Sequence, residues 1–327
     1  MTLQILVPQY EETDEVIKPL LDSIAIQQSI SFDDVGVIIC NDGSDVFLSE
    51  ELLTSYPYKI EYYKEPHRGV SATRNTCLDH ATADYVMFCD ADDMFFNACG
   101  MWIIFREMAV GFDSLVSSFL EEVRYPDSQD SEYMTHTMDS TFVHGKVHRR
   151  QYLLDRNIRW NDKLTIHEDS YFNILCQNLS DKIKYCETAF YLWKWRDNSV
   201  CRHDPKYILK TYPNLLDSSD QLVDEFMRRG MHERANAFVA SSIFDAYYTM
   251  NKEEWLNQEN QDYRRTTEMH FANYFRKHRD QWNYVSPEEK MQISNQIRSR
   301  CINEGMRMEA ITIDAWLKHI MKLLKKK

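Results

Sequence analysis

The run Asp90-Ala91-Asp92-Asp93 sets three carboxylates in four positions, directly after the apolar segment Tyr85-Val86-Met87-Phe88-Cys89. Like charges so close repel one another, and a cation bound among them would offset that cost. Oxygen-only donors favour Mg2+ or Mn2+ over zinc, and the spacing lets Asp90 or Asp92 ligate the ion while the other reaches a ribose or a metal-bound water. A calcium loop of the EF-hand kind is the rival pattern. It fails because it needs Asp or Asn where Met94 stands and Gly where Phe95 stands.

Two further polar clusters also follow apolar runs: Pro8-Gln9-Tyr10-Glu11-Glu12 after Leu3–Val7, and Asn41-Asp42-Gly43-Ser44 after Val35–Cys40. In open α/β sheets the ligand crevice lies outside the carboxyl ends of the strands, so the three clusters should converge. Asp42, released beside Gly43, is placed to accept the N3–H of a uracil ring through a charge-assisted bond. In His67-Arg68-Gly69-Val70-Ser71-Ala72-Thr73-Arg74-Asn75, Arg68 precedes a helix and Arg74 lies about one turn inside it; helix amides with nearby guanidinium groups suit a diphosphate. His144 and His148 are spaced i, i+4 without a partner carboxylate motif, and imply no zinc site.

The elements that must hold these residues are legible in the first 120 or so positions. Short apolar runs at Leu3–Val7, Val35–Cys40, Lys59–Tyr63 and Tyr85–Cys89 alternate with amphipathic stretches at Asp14–Gln28 and Ser71–Ala81. That alternation predicts an α/β fold, a mainly parallel sheet flanked by helices. From about 113 to 191 the pattern shifts to short strands and loops, with a helix over Asp169–Asn178, and from Pro205 onward it is helical. The expected organisation is a donor-binding half at about 1–112, an acceptor half at about 113–204 and a helical module at 205–327.

Composition excludes several classes. With 327 residues, 43% apolar and 27% charged, the chain can build a sizeable core. A formal net charge of -13 argues against duplex nucleic acid as a partner, since phosphate binding needs clustered Lys and Arg. Eight cysteines without a CxxC read as reduced core thiols of a cytoplasmic protein. The N-terminus lacks the charged and apolar regions of a secretory signal, and no run has the length of a membrane span. The basic amphipathic stretch Trp316–Lys327 suits peripheral contact with the inner face of a membrane and suits an ordinary packed helix equally.

Taken in order, Val7-Pro8-x-Tyr10, Asn41-Asp42-Gly43-Ser44, the Gly69–Asn75 segment, Phe88-Cys89-Asp90-Ala91-Asp92-Asp93 and His167-Glu168-Asp169 resemble the signatures of family 2 glycosyltransferases with the GT-A fold, over roughly residues 1–200. The resemblance implies an inverting, metal-dependent transfer from a nucleotide-sugar donor, a UDP-sugar first among them, to a hydroxyl acceptor. It implies donor contacts from Pro8, Tyr10, Glu12, Asp42, His67, Arg74, Asp90 and Ala91, and Mn2+ or Mg2+ on Asp92 and Asp90. His203 would be a third ligand, as a His is in some relatives. Asp169 would act as general base, with Glu168 orienting it or binding the acceptor. Trp193 through Val200 resembles the family's late Arg-x-x-x-Ser segment near the diphosphate, and Trp193 or Trp195 suits a sugar face. The sequence departs from the family at Glu11 and His67, where Asn is usual, and at Ala83, where Gly is frequent.

Two other functions fit the same residues less fully. A nucleotidyltransferase also sets a base and phosphates above an α/β sheet, but no Gly-rich phosphate loop opens this chain and Asp169 would lack a task. An inactive transferase-like assembly protein would use the helical module as its surface. That module suits pairing of two copies and capping of an acceptor groove equally.

Overall fold

The computed structural model describes residues 1–124, 130–197, 204, 206–303 and 312–324. The chain forms two compact units, Met1–Ser199 and Val200–Lys327.

In the first unit, strands β1 (Leu3–Gln9), β2 (Val35–Asp42), β3 (Lys59–Glu65) and β4 (Tyr85–Phe88) are linked by helices α1 (Asp14–Ala25), α2 (Glu50–Thr54) and α3 (Val70–His80). These strands run parallel in the order β3-β2-β1-β4. Strands β1, β2 and β4 are buried on both faces, which is why Ile5-Leu6-Val7 and Val37-Ile38-Ile39-Cys40 are unbroken apolar runs rather than alternating ones. The chain lays β2 and β3 on one side of β1 and β4 on the other. Sheet order therefore reverses between β1 and β4, and the loops leaving both open at the crevice that such a reversal creates.

The rest of the unit comprises β5 (Met94–Phe95), α4 (Gly100–Val110), β6 (Ser114–Arg124), β7 (Ser131–His136), β8 (Lys146–Arg149), α5 (Arg150–Asp155), α6 (Glu168–Leu179) and β9 (Ile183–Trp193). Strand β8 lies antiparallel between β4 and β6, β6 runs parallel to β9, β5 pairs antiparallel with β9 and β7 pairs with β6. The fold is α/β as expected, parallel through the first four strands and again between β6 and β9. Where the sequence suggests short strands and loops, β6 and β9 are 11 residues each and lie side by side. Buried Ser114, Ser117 and Ser118, and an irregular register between Ser117 and Phe119, hide the period of β6. Helix α4 is also unforeseen, because Met101-Trp102-Ile103-Ile104-Phe105 is apolar enough to suit either element.

The second unit contains α7 (Tyr207–Arg228), α8 (His232–Met250), α9 (Glu253–Leu256), α10 (Gln261–Lys277), α11 (Arg279–Tyr284), α12 (Pro287–Asn303) and α13 (Ile313–Leu323). Trp316, Leu317 and Ile320 of α13 are buried within it, the Trp316 ring 4.8 Å from Phe271 and 5.6 Å from Tyr247. The apolar face that suited a membrane is thus occupied by packing; residues 325–327 lie outside the described ones. No helix among the described residues is long and apolar enough to cross a membrane. Cys40, Cys77, Cys89, Cys176 and Cys186 are buried thiols, whereas Cys99 is exposed.

Candidate active site

The β2 end and the loop into α3 are tied together by one carboxylate. Asp42 accepts the Arg68 N–H at 2.7 Å on Oδ1 and the Gly69 N–H at 2.9 Å on Oδ2, with His67 Nδ1 3.1 Å from Oδ2. Oδ1, with one donor, keeps a lone pair for a ligand, so Asp42 organises the loop and can still accept from a base. Tyr10, 46% exposed, stands with its ring 4.8 Å from that of His67, forming an aromatic pair beside Asp42. Gly43 lets the two segments meet: it has φ +72°, and a Cβ there would lie 2.3 Å from the His67 nitrogen. Gly43→Ala is therefore expected to cost about 1–3 kcal/mol and to weaken nucleotide binding, which urea denaturation and a UDP titration would measure. Gly69, also at positive φ (+89°), has nothing within 4 Å of a Cβ, so Gly69→Ala carries the backbone strain alone and serves as the milder comparison.

After β4 the three carboxylates part company. Asp93 turns inward and is fully buried: Oδ2 accepts the Tyr191 hydroxyl at 2.6 Å and Oδ1 the Lys194 N–H at 3.0 Å. The Tyr191 oxygen in turn accepts the Asp90 N–H at 3.2 Å. Burial, then the charges of Asp92 and Asp90, push the Asp93 carboxyl well above its usual range. Asp90 and Asp92 keep side-chain exposures of 32% and 23% and face the crevice. Burial and the Asp90 charge push Asp92 up, against Arg196, whose NH1 lies 3.0 Å from Asp92 Oδ2 and 3.3 Å from Glu12 Oε1. Glu12 is likewise raised by burial, despite accepting the Tyr10 N–H and facing Arg196.

Arg74 lies beneath the crevice at 3% exposure. Its NH2 donates to Asp90 Oδ1 at 2.8 Å, and its NH1 to Glu168 Oε1 at 3.1 Å and Asp169 Oδ1 at 3.0 Å, while its guanidinium carbon sits 4.4 Å from the Trp160 ring centre. The sequence reading sets Arg74 beside a diphosphate; the structure turns it to three carboxylates contributed from positions 16 to 95 residues away. One positive charge cannot hold down three negative ones. Asp90 stays below its usual range, because Arg74, aided by His144 and Arg196, outweighs the burial that would raise it. Asp169 goes the other way: burial, with Glu168 and Asp90 adding to it against Arg74, pushes its carboxyl up to about 7. Its second oxygen accepts the Val143 N–H at 3.0 Å.

Asp90, Asp93 and His144 bring ligand atoms within 4.8 Å of one another, a spacing that would admit a divalent ion. Asp93 is the weaker donor of the three, since both its oxygens already accept hydrogen bonds in the interior. Asp92 stands outside that group, its carboxyl raised by burial and by the Asp90 charge and faced by Arg196. The third ligand expected at His203 lies outside the described residues. His144 and His148 have separate surroundings: His148 Nδ1 lies 2.9 Å from Ser114 Oγ, and burial pushes it down to about 3. Asp93–Tyr191, Trp160, Arg196 and the Val143 amide were not foreseen as a group, because their spacing along the chain carries no signal.

The acidic crevice thus lies at the β1/β4 reversal of a partly parallel sheet. Residues 4–99 match the family model described as "Glycosyl transferase family 2". The glycosyltransferase GlyA of Streptococcus pneumoniae is 26% identical over 226 residues, 61% of this chain and 31% of that protein. The minor teichoic acid biosynthesis protein GgaB of Bacillus subtilis is 26% identical over 223 residues, 61% of this chain and 24% of that protein. The chain thus spans less than a third of either relative's length. Among solved structures, S. aureus TarS 1–349 in complex with UDP superposes with a TM-score of 0.59 at 14% identity, covering 96% of this chain and 95% of that one. At that identity the likeness is one of fold.

Proposed function

We propose that this protein transfers a sugar from a nucleoside diphosphate donor to a hydroxyl acceptor by direct displacement with inversion. The observation that carries the reading is the meeting of Asp90 and Asp169 on one guanidinium, which supports a donor-side carboxylate and a raised carboxyl on opposite walls of one crevice. Asp42, Tyr10 and His67 hold the base, with Pro8 and Ala91 lining the strand ends beside it. Asp169, with a pKa near neutrality, takes the proton from the acceptor hydroxyl as that oxygen attacks the anomeric carbon. Glu168 helps to orient the acceptor. Asp92 and Asp90 would hold Mg2+ or Mn2+, which when bound neutralises charge growing on the departing diphosphate. Arg74 fixes the Asp90, Glu168 and Asp169 carboxylates relative to one another, so that the two sides of the reaction share one rigid support.

A uridine donor is the first choice, because TarS, of like fold, is described with UDP and with UDP-GlcNAc. The acceptor half is formed by residues 113–204, and a cell-wall polymer such as a teichoic acid is the acceptor class that the relative GgaB supports. The test is a panel of UDP-glucose, UDP-galactose, UDP-GlcNAc and GDP-mannose with Mn2+ or Mg2+ and no acceptor. Slow release of the nucleoside diphosphate, abolished by EDTA, is expected. No release and no binding of any donor would sink the proposal, and pyrophosphate release from a nucleoside triphosphate would favour a nucleotidyltransferase instead.

A further inference from the structure

Strand β8 opens with a lysine that the chemistry above does not use. Lys146 is 2% exposed, and among the described residues no carboxylate lies within ion-pair distance of its ammonium. A buried cation in that state is costly unless other groups satisfy it. Its Nζ donates instead to two main-chain carbonyls, that of Phe142 by a short bond and that of His144 at 3.3 Å. The Phe142 carbonyl receives a second donor, Asn173 Nδ2 at 2.9 Å.

The same peptide unit has another end. Its N–H is that of Val143, which donates to Asp169 Oδ2 at 3.0 Å. Lys146, the Phe142–Val143 peptide and Asp169 are therefore one chain of hydrogen bonds, with an ammonium that burial pushes down to about 8 at its head and a carboxylate at its foot. Two donors on a carbonyl oxygen polarise the amide, and a polarised amide makes its N–H a stronger donor. The surrounding turn cannot relax the geometry: Asp139 Oδ1 accepts the Thr141 and Phe142 N–H groups, Gln177 donates to the Ser140 carbonyl, and Asn173 donates to the Thr141 carbonyl as well. A surface loop would not bury an ammonium for fastening that four other hydrogen bonds already supply.

We propose that Lys146 is a positioning residue for the Asp169 carboxylate, acting through the Phe142–Val143 peptide to hold Oδ2 in place and to favour its ionised form. This rests on the reading of Asp169 as the general base. The charged groups that face Asp169 are Arg74 from α3, Asp90 after β4, its neighbour Glu168 and, at longer range, Lys146; the titratable groups that face Lys146 are Asp139, Asp169, the Cys176 thiol and His148. Arg74 sets the position of Oδ1 and Lys146, through the peptide, that of Oδ2. The carboxylate is thereby gripped from both sides.

The experiment uses the full chain, the donor of the panel above that is hydrolysed fastest, and Mn2+. Lys146→Met keeps the length of the side chain and removes its charge. The expected result is a fall in kcat of about tenfold with the donor KM within about twofold of wild type, as for an interaction felt in the transition state. The acid limb of the kcat profile should move up by about half a pH unit or more, because Asp169 has lost support for its charged form. In an Asp169→Asn background the same substitution should leave the residual rate unchanged, since the two act as a unit. An unmoved acid limb, or an equal loss of rate with and without Asp169, would overturn the proposal and leave Lys146 a structural residue. Should Lys146→Met fail to fold, Asn173→Ala removes the other donor from the same carbonyl; a smaller displacement in the same direction is expected, and none would overturn the proposal. Full hydrolysis by Asp169→Asn itself would overturn the base assignment and this inference together, whereas an inert Asp169→Asn beside an unaffected Lys146→Met overturns this inference alone.

Discussion

Asp169→Asn is expected to lower turnover by about a hundred- to ten-thousand-fold while donor binding stays within a small factor of wild type, the range that loss of a positioned general base produces. Binding is spared because the proposed donor contacts, Asp42, Tyr10 and the Asp90–Asp92 pair, do not touch Asp169 except through Arg74. Asp169 accepts at both oxygens, from Arg74 and from the Val143 N–H. An asparagine must turn its amide nitrogen toward one of these two donors, so the variant also tests the fit of the pocket, and its melting temperature is the control. The pH dependence has a definite sign. The base must be ionised, and its carboxyl is pushed up to about 7, so wild-type turnover should fall as pH drops through that value. For stability the same shift acts oppositely. Between the ordinary carboxylate value and about 7 the folded state holds the proton more tightly than the unfolded chain, so this group's contribution to stability declines as pH rises through that window. Stopped-time release of nucleoside diphosphate from about pH 5.5 to 8.5 would measure the limb. A flat profile would return the base role to another group.

Much of the crevice proposed for the donor is legible in the sequence because parallel strands covered on both faces must be apolar throughout, and their polar ends then mark it by contrast. Gln9, Asp42 and Asp90 announce themselves in this way. The same reading groups Asp90, Asp92 and Asp93 as one wall. The structure separates them, since a single step along the chain carries Asp93 past Tyr191 into the interior. Helix α6 was visible as a helix, but its pairing with α3 was not: Arg74 and Asp169 lie 95 residues apart, and nothing local in either segment requires the other. Residues 113–193 are the least legible, because β6 buries serines and β9 sets Glu187 and Thr188 side by side ahead of the run Phe190–Trp193, so neither period survives in the text. Lys146 sits among Val143, His144 and Val147 with no sign that its ammonium will be buried.

The Arg74 cluster carries the second large effect. Arg74→Met removes the cation that Asp90, Glu168 and Asp169 share, and leaves three carboxylates, none more than 32% exposed, to repel one another. Breaking a buried pair by deleting one partner costs about 3–5 kcal/mol, a large part of the stability of an ordinary domain. Arg74→Lys should recover only part of it, since a single ammonium cannot span three acceptors as the planar fork does. The cause can be separated from lost packing on Trp160 by pH. Arg74 is what holds the Asp90 carboxyl below its usual range, so without it Asp90 takes up a proton more readily in the folded state. The deficit of Arg74→Met relative to wild type should therefore shrink as pH falls, as protonation relieves the repulsion that the guanidinium formerly offset. Urea denaturation of both proteins at about pH 5 and pH 8 measures it. A deficit of equal size at both would assign the loss to the Arg74–Trp160 contact and to the methionine's poorer fit, and would mean that the three carboxylates had found another partner.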